Sequence, residues 1–179
     1  MNGDENGMPE LRQLSGADGQ EIYELLQSMP KNENGLINNA NGLSFEEFRA
    51  WLKAKEAEAA QEGLVDGWKV PSTTYWLYAD GIPVGFGNVR HFLTDALRKS
   101  GGHIGYGIAP MYRGRGYGKE LLRLLLEKAA ALGIDRVLLT IHADNAASRA
   151  VAIANGGVIT EETEERIRVW AETQKTAGK

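Results

Sequence analysis

Apolar positions follow two rhythms along this chain, and glycine, proline and asparagine mark where one gives way to the other. A short strand over residues 11–14 comes first. Ile22, Leu25, Leu26 and Met29 then recur at helical spacing behind Asp18-Gly-Gln-Glu21, a capping-box pattern, and Pro30 closes that helix. Residues 31–42 read as an Asn/Gly-rich loop of low structural content. Ser44-Phe-Glu-Glu47 is a second capping box, followed by a stripe of Phe45, Phe48 and Leu52 and an expected end near Gly63. β-branched and aromatic residues take over next, with strands over 73–78 and 82–90 joined by an Asp80-Gly81 hairpin turn. A polar link over 94–102 leads to a strand over 103–108, stopped by Pro110. Leu121, Leu125, Ala129 and Leu132 form one face of a long helix that Gly133 ends. The unbroken apolar run 137–141 suits a strand covered on both faces. A short helix over 145–155 and a closing pair of strands, 158–162 and 166–171, complete the pattern. This order predicts an α/β fold: a mixed sheet of about six or seven strands with helices on both faces. Residues 1–9 and 173–179 read as flexible tails around a single domain over 10–172.

Composition narrows the classes. The chain has 179 residues, 42% hydrophobic and 25% charged, as expected of a globular domain with its own core. It has no cysteine, which removes disulfides, thiolate metal sites and a cysteine nucleophile. His91, His103 and His142 show no metal-ligand spacing, so no metal is expected. A net charge of -4 argues against binding nucleic acid by phosphate neutralisation, including an RGG-type reading of Arg113-Gly-Arg-Gly116. Neither a membrane-spanning run nor a signal-peptide pattern is present, making the cytoplasm the expected compartment.

The segment 108–119 carries the chemical signal. A strand ends, two arginines and three glycines follow, and a helix starts at once. Glycines let the backbone turn tightly, and a helix N-terminus offers unpaired N–H groups and a positive dipole end. The combination suits a phosphate. It is not a P-loop, because Lys119 is followed by Glu120 instead of Ser or Thr, and its glycine spacing is not the dinucleotide fingerprint.

Arg113-x-x-Gly116-x-Gly118 resembles the [Q/R]-x-x-G-x-[G/A] signature of the GNAT acetyltransferases, after the fourth strand and opening the third helix of that family. Asn145-Ala-Ala-Ser148 resembles the family's N-x-x-S, and Asn155-Gly-Gly157 the close of the helix after it. The resemblance is good over about 73–160, and the stretch 101–110 looks most like a bacterial subgroup with no assigned acceptor. It implies acetyl-CoA as co-substrate, a primary amine of a small molecule or protein as acceptor, and a monomer or homodimer. It also implies a splay between the fourth and fifth family strands that takes the pantetheine arm. The arm would pair with the backbone of Ile108 and Ala109. The pyrophosphate would sit on Arg113, Gly114, Arg115, Gly116, Tyr117, Gly118 and Lys119, with a Cβ at Gly116 or Gly118 blocking its approach. Asn145 and Ser148 match further cofactor positions, although an ordinary N-cap explains the same pair.

The reaction implied is direct attack of a neutral amine on the thioester. Here Ala152 stands where many members have the tyrosine that protonates the leaving thiolate, and Gly102-His103 where some have a glutamate base. His103 is therefore the candidate base, with a structural histidine as the alternative; Tyr106 is the candidate hydroxyl, with a core aromatic as the alternative. Arg90-His91 ends a strand near where acceptors approach, or faces solvent. Trp51, Trp68, Trp76 and Trp170 could wall an acceptor pocket or fill the core, and Glu161, Glu162, Glu164 and Glu165 could attract an amine or form a solvated turn. A non-catalytic acyl-CoA-binding module, or transfer of another acyl group, is the alternative function.

Overall fold

The computed structural model describes residues 7–60 and 67–173. The expected helix end near Gly63 and most of both expected tails lie outside the described residues. In chain order the elements are β1 (Glu10–Gln13), α1 (Gln20–Ser28), β2 (Asn32–Glu33), β3 (Leu36–Ile37), α2 (Phe45–Glu58), β4 (Ser72–Ala79) and β5 (Ile82–Arg90). There follow α3 (Asp95–Lys99), β6 (Ile104–Ile108), a 3-10 turn (Pro110–Tyr112), α4 (Tyr117–Ala131), β7 (Arg136–His142), α5 (Ala146–Ala154), β8 (Val158–Glu162) and β9 (Arg166–Glu172). No helix among the described residues is long and apolar enough to cross a membrane.

The long strands pair in two antiparallel sheets, β1-β4-β5-β6 and β7-β9-β8. They are joined at one end of β6 and β7. There His103 N–H donates to the Leu138 carbonyl (2.8 Å), and Leu138 N–H donates to His103 Nδ1 (2.8 Å). Just before, Gly102 holds φ +62°, and a Cβ on it would fall on the Leu138 carbonyl oxygen. Glycine there is what lets the two backbones meet. Beyond the joint the strands diverge.

Packing fixes the layers. Ile22, Leu25 and Leu26 of α1 and Phe48 and Leu52 of α2 are buried against Trp76, Tyr78 and Phe86 on one face of the first sheet. On the other face, Leu121, Leu122, Leu125 and Ala129 of α4 meet Leu77, Val89 and Ile104, and also Val137, Leu139 and Ile141 of β7 with Ile167, Val169 and Ala171 of β9. Helix α4 therefore serves both sheets. Each of its buried leucines contributes roughly 1.5–3 kcal/mol.

Three local expectations change. The Ser44 capping box forms, with Ser44 N–H donating to Glu47 Oε2 (2.8 Å) and Glu47 N–H donating to Ser44 Oγ (3.2 Å). The Asp18 one does not: the cap position is Gly19, and Asp18 Oδ2 accepts from Ser15 N–H (2.8 Å) and the Trp76 indole (2.7 Å). An indole under the sheet needs an acceptor more than the helix needs a cap. Residues 31–42 are not a bare loop. They form the β2–β3 hairpin over Asn34 (φ 51°) and Gly35 (φ 83°), and their asparagines cap the end of α1. Asn38 Nδ2 donates to the carbonyls of Leu26 (2.7 Å) and Met29 (3.3 Å), and Asn41 Nδ2 to those of Gln27 (3.2 Å) and Met29 (3.1 Å). The helix's orphan carbonyls account for that Asn content. The polar link also contains α3, capped by Thr94 Oγ1 accepting from Leu97 N–H (3.2 Å).

Candidate functional site

The gap between the sheets opens into a cleft of about 610 Å³. Its first wall is backbone. In an antiparallel ladder alternate residues bond to opposite sides. Arg90 N–H donates to the His103 carbonyl (2.7 Å) and Ala109 N–H to the Val84 carbonyl (2.9 Å), so in this register Gly105, Gly107 and Ala109 face β5, whereas His103 bonds to β5 and β7. Ile104, Tyr106 and Ile108 turn their N–H and C=O groups toward the gap. From that side Arg113 Nε donates to the Ile108 carbonyl (3.0 Å).

The second wall is the glycine loop and the start of α4. Gly116 is the cap residue at φ +82°, with no side-chain cap, and the first helical bond runs from Glu120 N–H to the Gly116 carbonyl (3.3 Å). The N–H groups of Tyr117, Gly118 and Lys119 have no acceptor within the helix, which leaves an anion-binding end. Gly116 holds a left-handed φ that favours glycine; among protein atoms a Cβ there meets nothing within 4 Å, and at 118 it makes ordinary contact with Val151 (3.6 Å). Arg113, Gly114, Gly116, Tyr117, Gly118, Lys119 and Ile108 line the cleft. Ala109 is fully buried with its N–H committed to β5, and Arg115 lies over the Tyr112 ring (5.7 Å); neither lines it.

The third wall is the start of α5. Asn145 caps that helix, its Oδ1 accepting from Ser148 N–H (3.2 Å). Ser148 Oγ lies 3.0 Å from Tyr106 Oη, so two hydroxyls on different elements share one hydrogen bond inside the cleft. Burial raises the Tyr106 pKa above the ordinary phenol value, keeping it protonated at neutral pH. Ala152, at the expected tyrosine position, is fully buried.

His103 belongs to the joint and does not line the cleft. It is 7% exposed, its Nδ1 holds the Leu138 N–H, and its ring sits edge-on to Trp170 (6.4 Å). Burial first, then the charges of Arg98 and Arg90, lower its pKa from 6.5 to about 4. A nitrogen already accepting a hydrogen bond inside the protein is badly placed to take a proton from an amine, so this geometry favours the structural alternative. The linkage has a definite sign. Because the folded pKa is depressed, the contribution is complete above pH 6.5 and is lost as pH falls toward 4. It amounts to about 3 kcal/mol. We expect urea midpoints of His103→Gln, which keeps an acceptor, to fall less steeply than wild type across that window; parallel profiles would refute this.

Other expected contributors lie elsewhere. His91 Nε2 is 2.8 Å from Thr73 Oγ1, outside the cleft, and none of the four tryptophans lines it. Glu161 and Glu162 pair with Arg168 (2.7 Å) and Arg149 (2.7 Å), also outside. The β2–β3 hairpin supplies a wall that the sequence pattern did not reveal. Leu36 packs so closely on β6 that a Cβ at Gly107 would sit 2.6 Å from its Cδ2. Glu33, the only carboxylate lining the cleft among the described residues, accepts from Arg113 Nη1 (3.0 Å) and Nη2 (2.5 Å). No group of three or more His, Cys, Asp or Glu residues suited to a metal occurs among the described residues.

Similarity to known proteins agrees with this architecture. RimL, a ribosomal L7/L12 α-N-protein acetyltransferase solved with coenzyme A, superposes with a TM-score of 0.65 at 18% identity, over 90% of this chain and 92% of its own. An acetyltransferase of Salmonella typhimurium that modifies the N-terminal serine of L7/L12 gives 0.62 at 19% identity, over 93% and 95%. The Campylobacter jejuni N-acetyltransferase PseH, solved with acetyl coenzyme A, gives 0.61 at 12% identity, over 93% and 100%. These likenesses concern the fold. No functionally curated protein matches the sequence. The family model for the acetyltransferase (GNAT) domain matches residues 10–158, most of the chain, and on that ground this protein belongs to the GNAT acetyltransferases.

Proposed function

We propose that this chain transfers the acetyl group of acetyl-CoA to a primary amine by direct attack, within a single domain over residues 10–172. One observation carries the reading: the open backbone edge of β6 and the uncapped N-terminus of α4 face the same cleft. The residues fit acetyl-CoA. The edge at Ile104, Tyr106 and Ile108 suits the amides of its arm, and the N–H groups of Tyr117, Gly118 and Lys119, with the Lys119 charge, suit its pyrophosphate.

The amine's C–N bond forms as the thioester C–S bond breaks. Tyr106 is the proton donor to the leaving thiolate, and Ser148 orients its hydroxyl. The cleft offers no unpaired carboxylate and no imidazole among the described residues, so the amine proton passes to water. A lysine-like amine, with pKa ~10.4, is neutral in only about one molecule in 2,500 at pH 7. Positioning and carbonyl polarisation therefore supply most of the rate.

The test is wild type beside Tyr106→Phe, followed by thermal midpoint with acetyl-CoA and by coenzyme A release with a panel of primary amines. Both proteins should be stabilised by acetyl-CoA, and Tyr106→Phe should lower kcat by roughly 10²–10⁴. An unchanged midpoint with acetyl-CoA would sink the proposal. An unchanged kcat would remove Tyr106 from it. The buried Ala152 favours one alternative, a non-catalytic acyl-CoA-binding module, which would show binding with no coenzyme A release from any amine.

A further inference from the structure

Arg90 has no counter-charge among the described residues. It lines the cleft at the end away from α4, and its Nη1 donates to the carbonyls of Gly101 (3.1 Å) and Gly102 (3.0 Å). That leaves Nε–H and both Nη2 N–H groups, the side-on edge that takes a carboxylate with two parallel bonds, without a protein acceptor among the described residues. Those groups are not sealed in the core: Asn38 Oδ1 is the one buried side-chain polar atom without a partner among the described residues. Burial lowers the Arg90 pKa, and no carboxylate among the described residues offsets it. The cleft's other arginine, Arg113, is neutralised by Glu33, and Lys55 is paired with Glu58 (3.0 Å).

Its neighbours point the same way. Asn88 Oδ1 accepts from Gly105 N–H (3.2 Å), leaving its amide N–H groups to donate. Thr140 Oγ1 accepts from Gly101 N–H (2.7 Å), leaving its hydroxyl hydrogen free, and Ser100 adds another hydroxyl to the lining. Among the described residues, this end of the cleft presents donors and one cation. The phosphates of a cofactor on α4 do not answer that charge. Arg90 bonds to His103, five residues before Ile108, which places it roughly 16 Å from the loop at about 3.3 Å per residue.

We propose that Arg90 binds a carboxylate on the acceptor, so that the substrate is an amine bearing a carboxylate, the chemistry of an amino acid. This rests on the acetyl-transfer reading above. Half-burial strengthens such a pair relative to one in water, and two parallel charge-assisted bonds confer selectivity against the uncharged carboxamide of the same amine.

The test supplies acetyl-CoA with a pool of L-amino acids, the pool of matching L-amino acid amides, or O-phosphoethanolamine. Wild type, Arg90→Gln and Arg90→Lys are compared, and acetyl-CoA stabilisation is recorded for each. Wild type should prefer acids over amides by roughly 100-fold in kcat/KM, mostly through KM. Arg90→Gln should erase that preference and Arg90→Lys restore part of it, with acetyl-CoA stabilisation unchanged in both. The selectivity ratio is read within each protein, so a general loss of fold does not imitate the result. Equal use of acids and amides, preference for the phosphate ester, or no turnover of acids by protein that binds acetyl-CoA would overturn the proposal. Failure of wild type to bind acetyl-CoA would instead overturn the reading beneath it.

Discussion

Gly116→Asp is expected to abolish stabilisation by acetyl-CoA while leaving α4 folded. At φ +82° any L side chain is strained, by about 1–2 kcal/mol, and Asp tolerates this region better than most. The new Cβ meets nothing within 4 Å, so no clash adds to that cost. An acidic residue at a helix N-terminus is also favourable for the helix. Its carboxylate instead competes with an anion for the N–H groups of Gly118 and Lys119 and repels the pyrophosphate. At a hundredfold excess over Kd, wild type should gain about 2.7 kcal/mol from the ligand, read as a midpoint several degrees higher. Gly116→Ala accepts the same backbone strain without the charge and should keep most of that gain. An Asp variant that still responds fully would move the phosphate site away from α4.

The largest expected loss of stability follows Gly102→Ala. The backbone strain at φ +62° is of order 1–3 kcal/mol. The methyl group would also fall on the Leu138 carbonyl oxygen, with Leu138 C at 3.1 Å and Thr140 N at 3.4 Å, all backbone atoms of β7 that cannot rotate aside. Relief requires β7 to withdraw, which breaks both His103–Leu138 bonds, each worth about 1 kcal/mol. We expect a cost of about 4 kcal/mol or more in urea unfolding. Gly133→Ala provides the comparison: it sits at φ +81° with nothing within 4 Å of its Cβ, so it bears conformational strain alone. If the two substitutions cost the same, the joint is looser than its geometry indicates.

The glycine loop and the helix after it were legible because their signal is local: Arg113, Gly116 and Gly118 sit within six residues, and Gly116 takes the backbone role its residue type suggests. Long strands with alternating or unbroken apolar runs were legible for the same reason. What escaped depends on distant partners. Asp18 looks like a cap until Trp76, 58 residues away, takes its carboxylate. His103 looks like a base until Leu138 donates to it across the gap between the sheets. The β2–β3 hairpin pairs only two residues per strand, too few for any periodicity, and its asparagines report the end of α1 instead of their own conformation. Arg90 was visible as a charge at a strand end, but its lack of a partner is a property of the folded cleft.

The joint between the sheets at His103 and Leu138 has a consequence for how the protein is made. The four-stranded sheet has all its strands once Ile108 has left the ribosome, even though β1 must wait for Tyr78 to pair with Glu10. The opposite wall needs β7 through β9, which end at Glu172. At a synthesis rate of about 5–20 residues per second, the intervening chain takes roughly 3 to 13 s. Throughout that interval the outer edge of β6 is an unpaired strand edge, the kind that recruits other chains. The nascent protein is therefore most exposed to misassociation at the backbone that later receives its ligand, and the cleft is the last part of the domain to exist.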